Sequence, residues 1–290
     1  MNRDLKTTYI HEILRGVNKQ PQSLQTSTKI QTNCMIGLEI ELESCVTDDV
    51  ERFSTQTFNN YWRTTYDGSL RGGYGVEFVL SKPRSGAGAS TALKAFDKLM
   101  KDLPNKPTTS QSTSTHVHLD MTNTSLYDVL KFLFLYRIFE TALIKSCGST
   151  RVSNLYCMSF QEANKPFMEL ARVLKDPSNL SQYNMNEHKY GACNLAALTQ
   201  YGSLEFRSKG GVTTAQEVID WVNTLTSIKI FADSLESFED VLSLASREHA
   251  DIVQTVFGEY ADSVAQFFQI EDMWEACMDI QYVINEAWEA

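Results

Sequence analysis

Within Cys34–Glu43, CMIGLEIELE, acids fall at every second position: Glu39, Glu41 and Glu43 interleave with Ile36, Leu38, Ile40 and Leu42. In a β-strand successive side chains point to opposite faces, and residues two apart share a face about 6.6 Å further along. The run therefore reads as a strand with one apolar and one acidic face. Three later segments divide the same way. In VEFVLS, Glu77 lies opposite Val76, Phe78 and Leu80. In STSTHVHLDM, Ser114, His116, His118 and Asp120 share a face against Thr115, Val117 and Leu119. In GSLEFRS, Ser203, Glu205 and Arg207 stand against Leu204 and Phe206. If one sheet holds all four, its polar face gathers at least four carboxylates, two imidazoles and a guanidinium.

Each motif alone has an ordinary explanation. An E-x-E-x-E strand is usually a solvated edge, a lone His-x-His is usually a satisfied or exposed pair, and Glu205 with Arg207 is a same-face ion pair worth about 0.2–1 kcal/mol. Their conjunction is harder to dismiss, because the polar faces occur on the strands whose other faces are most apolar. Turns at Asp67-Gly68-Ser69 and Gly72-Gly73 lie close by in sequence. Carboxylates a few ångströms apart repel and raise one another's pKa unless cations offset them, so metal ions are the natural complement. The donors are mostly carboxylate oxygens and include no cysteine, which suits Mg²⁺ or Mn²⁺ better than zinc. Ions held in this way commonly bridge the phosphate oxygens of a nucleotide.

The elements that must position these residues can be read along the chain. Residues 1–17 suit a short amphipathic helix, and 18–33, NKQPQSLQTSTKIQTN, reads as a polar linker or arm. A helix is expected near 91–102, N-capped by Ser90 or Thr91, after the loop PRSGAGAS. Ser125 and Asp128 have the spacing of a capping box at the head of a long apolar helix to about Lys145. Another helix is expected near 160–175, and everything beyond Thr213 looks helical. The connections are longer than those of a doubly wound parallel fold, and no G-x-G-x-x-G or Walker motif is present. The pattern predicts an α+β fold with a mainly antiparallel sheet, helices on its outer face and a helical C-terminal region.

Composition narrows the function class. At 290 residues and 42% hydrophobic, the chain can bury a large core. No apolar run reaches the roughly 20 residues that span a bilayer, and the first residues lack a signal-peptide layout, so a soluble cytoplasmic protein is expected. Six scattered cysteines without a C-x-x-C pair read as small buried hydrophobes. The net charge of −10 is uneven: residues 231–290 hold fourteen Asp or Glu and one basic residue, Arg247. The remainder is slightly basic, which leaves room for an anionic ligand such as a nucleotide, while a strongly basic nucleic-acid face is not evident.

Taken in order, Gly37-x-Glu39-x-Glu41, Asp67-Gly68-Ser69-Leu70, Gly75-x-Glu77-Phe78, His116-Val117-His118, Asn194 and Ser203-Leu204-Glu205-Phe206-Arg207 resemble the amidoligase family. That family is a branch of the carboxylate-amine ligases sharing the fold of glutamine synthetase and glutamate–cysteine ligase. The resemblance covers roughly residues 34–212. It implies an antiparallel sheet curved into a half-barrel, with ATP and divalent ions on the concave face. Glu39, Glu41, Glu77, His116 and Glu205 would be metal ligands, and His118 would approach the ATP phosphates. Arg207 would face the transferred phosphoryl group. Lys189 and Asn194 match a Lys/Arg-then-Asn pattern that could bind phosphate or a substrate carboxylate, and Arg151 is a candidate of the same type. Glutamine synthetase has two carboxylates on the Glu77 segment where this chain has one; Asp67 could supply the other, although it also suits a turn before Gly68. Glu43 falls past the family pattern and reads as a rim residue.

The implied organisation is an N-terminal arm over 1–33, a catalytic domain over 34–235 and an acidic helical extension over 236–290 packed on that domain. The implied activity is ADP-forming: a carboxylate attacks the γ-phosphate of ATP, and an amine captures the acyl phosphate as an amide or isopeptide. Loops 71–75, 84–90 and 176–192 are candidate water-excluding lids, and Glu187, His188 or Tyr190 could take the amine proton. The substrates would be small molecules, amino acids or peptides, and a homo-oligomer is compatible with the fold. Two rival readings stand beside this one: a zinc or manganese hydrolase built on the His-x-His and glutamate cluster, and a ligase-like domain kept as a binding scaffold.

Overall fold

The computed structural model describes all residues except 1–3, 15, 21–28, 67–69, 71–74, 183–189, 289 and 290. In chain order the elements are α1 (Ile10–Ile13), β1 (Ile36–Leu42), α2 (Thr47–Phe53), α3 (Gln56–Tyr61), β2 (Trp62–Thr65), β3 (Val76–Leu80) and α4 (Gly86–Asp102). There follow β4 (Ser114–Asp120), α5 (Leu126–Ser146), α6 (Lys165–Met168), α7 (Leu170–Lys175), β5 (Cys193–Asn194), α8 (Ala196–Tyr201) and β6 (Ser203–Gly210). The chain closes with α9 (Ala215–Ser234), α10 (Phe238–Ser243), α11 (His249–Phe257), α12 (Ala261–Ala265) and α13 (Ile270–Trp288). This is an α+β fold. No helix among the described residues is long and apolar enough to cross a membrane. The six cysteines are free thiols, four of them buried.

The chain forms two compact units. One comprises residues 21–120 and 206–223, the other 1–20, 121–205 and 224–290. β6 passes from the second to the first between Glu205 and Phe206.

In the first unit the strands run in the order β2-β3-β1-β4-β6. β1 pairs antiparallel with both β3 and β4, and β2 with β3. The period-2 pattern is realised as expected: Ile36, Leu38, Ile40, Val76, Phe78, Val117 and Leu119 are almost fully buried. Over the apolar face, Phe78 meets Phe58 of α3 and Phe96 of α4 edge-on at 6.1 and 5.5 Å between ring centroids. Trp62 of β2 joins this group and donates its indole N–H to the Ala92 carbonyl at 2.8 Å, so the buried ring keeps a partner for its one polar atom.

Two expectations for this unit are corrected. α4 begins at Gly86, with Ser85 as N-cap accepting from the Gly88 amide. A Cβ on Gly86 would stand 2.5 Å from the Ile30 carbonyl oxygen, so close approach of the chain requires glycine there and overrides its poor helix propensity. Most of 84–90, expected as a lid, is therefore helix. Nor are 29–33 a free linker: Ile30 is fully buried, and the Asn223 amide accepts from Gln31 N and donates to Lys29 O.

The second unit is built around α5, with Ser125 as its N-cap, but of the expected reciprocal capping box only the serine half forms. The Ser125 hydroxyl accepts from the Asp128 amide and donates to the Asp128 carboxylate at 2.6 Å. α5 is buried nearly all round, and α13 packs on it and on α7. The helix expected near 160–175 is split into α6 and α7, and the one expected over 1–17 is reduced to the single turn of α1. The two-residue strand β5 neighbours the start of β6.

Candidate active site

β1 lies in the sheet interior, so its polar face has strands on both sides. The register sets Glu41 opposite Glu77 of β3, and Glu39 opposite His116 of β4. His116 Nδ1 lies 3.0 Å from Glu39 Oε2, and a carboxylate can only accept, so that nitrogen carries a hydrogen. On the other side of the ring, Nε2 lies 2.6 Å from Ser114 Oγ, while the Ser114 hydroxyl donates to Glu41. Four residues thus form one chain, Glu39–His116–Ser114–Glu41, and His116, Ser114 and Glu41 within it are buried.

The second imidazole approaches from the end of the row. His118 Nε2 is 3.5 Å from Glu39 Oε1. It lies across from Gly37, where a Cβ would meet the His118 Cβ at 3.2 Å. The glycine in Gly37-x-Glu39 thus gives the imidazole room to lie over β1. From β6, Nη1 of Arg207 reaches within 3.5 Å of His116 Nδ1. Glu77 accepts from the Thr65 hydroxyl of β2 at 2.6 Å.

The electrostatics follow from this packing. Burial pushes the Glu39 carboxyl up, but hydrogen bonds from His116 and His118 and the charge of both rings outweigh it and hold Glu39 well below the usual carboxylate range. Glu77 is raised, first by burial and then by its like-charged neighbours Glu39 and Glu41, with Thr65 and His116 pulling the other way. A half-buried glutamate with two like-charged neighbours would gain from a cation placed among them.

Other candidates from the sequence fall in the second unit. Glu205 is buried, and its carboxylate accepts from the Asn194 amide at 2.6 Å. Asn194 in turn accepts from the Ala196 amide at the head of α8. Two residues apart on β6, Glu205 and Arg207 share a strand face. Arg151 is buried in the single turn Ser149–Arg151. Tyr190 is exposed and meets Tyr156 edge-on at 5.9 Å. Lys189, Glu187, His188 and Asp67 lie outside the described residues, as do most of loop 71–75 and part of loop 176–192. Glu43 is beyond the strand, pairing its backbone with Thr108.

Ser114, Thr65 and Gly37 take parts in this arrangement that the sequence did not assign to them. The alternation placed Ser114 on the polar face, but a serine carries no chemical signal until the register shows what stands beside it.

The class these features define is an α+β protein whose sheet carries an acid, imidazole and guanidinium cluster on one face and packs helices on the other. Over residues 39–229 the chain matches the family described as "putative amidoligase enzyme", and it belongs to that family. Membership assigns it to enzymes of ligase type. The match runs from Glu39 through every candidate to Arg207 and stops before the acidic C-terminal helices. No curated protein matches the chain.

Proposed function

We propose that the protein is an ATP- and Mg²⁺-dependent carboxylate-amine ligase that forms an amide or isopeptide bond through an acyl phosphate, releasing ADP and phosphate. The observation that carries this reading is the register of β1 with its neighbours. It sets Glu41 against Glu77 and Glu39 against His116, with the Arg207 guanidinium 3.5 Å from the same imidazole. Phosphoryl transfer depends on positioning and on charge stabilisation more than on a strong protein nucleophile. Clustered carboxylates beside a guanidinium supply both, the acids through bound ions and the arginine directly.

The donor set fits a hard divalent cation. Glu39, Glu41, Glu77, His116 and Glu205 would hold Mg²⁺, with Mn²⁺ as a substitute, and the ion would neutralise phosphate charge during transfer. To act as a ligand, His116 must give up one of its two hydrogen bonds, to Glu39 or to Ser114. His118 would approach the ATP phosphates. Arg207 would stabilise the transferring phosphoryl group, with Glu205 sharing its strand face. Asn194, Lys189 and Arg151 would bind phosphate or the substrate carboxylate, Asn194 while orienting Glu205. In this reading the sheet curves as in glutamine synthetase and the nucleotide lies on its concave face.

The test is to incubate purified protein with ATP, Mg²⁺ and a cell extract, follow ADP release and identify new amides by mass spectrometry. Glu41→Gln and Arg207→Ala should each lower ADP formation by about 10²–10³-fold. Wild-type rates in both variants would overturn the assignment. Turnover without ATP would instead mark a hydrolase, and failure to bind nucleotide with Mg²⁺ present would mark a scaffold.

A further inference from the structure

The C-terminal helix α13 carries two apolar stripes. Met273, Ala276, Ile280 and Val283 recur at helical spacing and are fully buried, on the side that packs against α5 and α7. That stripe is an ordinary core face. The second stripe, Trp274, Met278 and Tyr282, recurs at every fourth residue and faces outward, with 55%, 67% and 52% of each residue exposed. Residues four apart lie one above the other on a helix, so the three form a continuous strip over two turns. Single exposed apolar residues need no explanation, but contiguous ones mark surfaces that meet something.

The charges around the strip limit what that can be. On the inward side Asp279 is matched by Arg137 and Asp272 by Lys145 at 3.5 Å, while Glu275 accepts from the neutral Gln161 amide. On the outward side Glu271 and Glu286 are exposed, and residues 231–290 hold fourteen acids against the single base Arg247. A second copy of this helix would bring acids against acids. An acidic or neutral partner would gain little beyond the apolar contact.

We propose that the outward face of α13 is a docking surface for a basic amphipathic helix of another protein. Trp274, Met278 and Tyr282 would receive the partner's apolar anchors, and Glu271 and Glu286 would meet its Lys and Arg side chains. Methionine at the centre adapts to anchors of different shape, and the flanking Trp and Tyr are residue types that dominate interface energetics.

The test uses the full-length protein and a synthetic Lys/Leu peptide of about 18 residues with helical amphipathic spacing, compared by calorimetry with a scrambled isomer of the same composition. The wild type should bind the amphipathic peptide at least about tenfold more tightly, a difference of about 1.4 kcal/mol. Met278→Glu should erase that preference, and Trp274→Ala with Tyr282→Ala should do the same without adding charge. Glu271→Lys with Glu286→Lys should weaken binding of both peptides, most at low salt. Equal affinity for the two isomers, or a preference that survives both sets of apolar-strip variants, overturns the proposal. So does self-association of the wild type, seen by sedimentation, that Met278→Glu abolishes, because the strip would then be a surface between copies.

Discussion

The Ser114 hydroxyl stands between Glu41 and His116, donating to the carboxylate and lying 2.6 Å from the imidazole Nε2. Together with the direct His116–Glu39 contact at 3.0 Å, it ties two glutamates on one strand to one imidazole on the next, and the spacing of the acids is set before any ligand arrives. In the proposed function these acids hold a metal ion, and removing such a partner would loosen them without deleting a donor. Ser114→Ala should weaken Mn²⁺ binding by about 10–100-fold and cost roughly 1–2 kcal/mol of stability. Titration of Mn²⁺ followed by electron paramagnetic resonance reads the first, and unfolding in urea the second. Unchanged Mn²⁺ affinity would mean that the serine only fills space.

Gly37 makes a prediction of the opposite kind, in which adding an atom does the harm. A methyl group there would press on His118 Cβ at 3.2 Å, and the ring must shift by a few tenths of an ångström. The strand backbone tolerates alanine, so Gly37→Ala should change stability by less than about 1.5 kcal/mol while weakening metal or nucleotide binding severalfold. Parallel melting and Mn²⁺ titrations separate the two effects. A large loss of stability with binding intact would show that Gly37 serves the sheet and not the histidine.

The one-sided strands were legible in the sequence because a period of two is local: Glu39 and Glu41, His116 and His118, Glu205 and Arg207 declare their shared faces within a few residues. Register is not local. The alternation fixes which face of each strand is buried, but that Glu41 meets Glu77 and Glu39 meets His116 depends also on how the intervening chain returns. β2 escaped notice because WRTT is short and shows little alternation. The start of α4 was misplaced because glycines at 86 and 88 argue against helix, and only the carbonyl of Ile30 beside Gly86 explains why one belongs there. Ser125 is the N-cap that the sequence predicts, because that chemistry is contained in four consecutive residues, but the Asp128 carboxylate takes the Ser125 hydroxyl in place of a backbone amide, so the box is only half formed.

Arg137 is one of the most deeply buried side chains in the protein, and its Nε and Nη2 both bond Asp279 Oδ2, at 3.1 and 2.7 Å. The pair joins α5 to α13. Breaking a buried pair by removing one partner leaves the other charge uncompensated, typically at about 3–5 kcal/mol. Asp279→Ala should therefore destabilise by roughly that amount. Replacing both, as Arg137→Met with Asp279→Leu, should cost less than Asp279→Ala alone, because no buried charge is left behind. Denaturant unfolding of the wild type, the single variant and the double variant checks the order. A double variant as damaged as the single would show that packing, and not charge, accounts for the loss.

One turn further along α5, Glu140 is fully buried. Its Oε2 accepts from the Phe160 amide at 2.8 Å, and its Oε1 has no hydrogen-bond partner among the described residues. Burial pushes its carboxyl up to about 8, against the pull of Arg137 and of the Phe160 amide. An unfolded glutamate releases its proton near pH 4.3. Between about 4.3 and 8 the folded protein therefore holds a proton that the unfolded chain has given up, so stability falls as pH rises through that window. Above about 8 the loss is complete, because the folded state must then carry a buried charge. Glutamine copies the shape of the protonated acid and cannot ionise. Glu140→Gln should match the wild type to within about 1 kcal/mol at pH 5 and exceed it by roughly 1–3 kcal/mol, a few degrees in Tm, at pH 9. Thermal melts at pH 5, 7 and 9 measure the divergence. Parallel curves for the two proteins would mean that Glu140 ionises at its ordinary pH in the folded state, through water or a cation reaching Oε1.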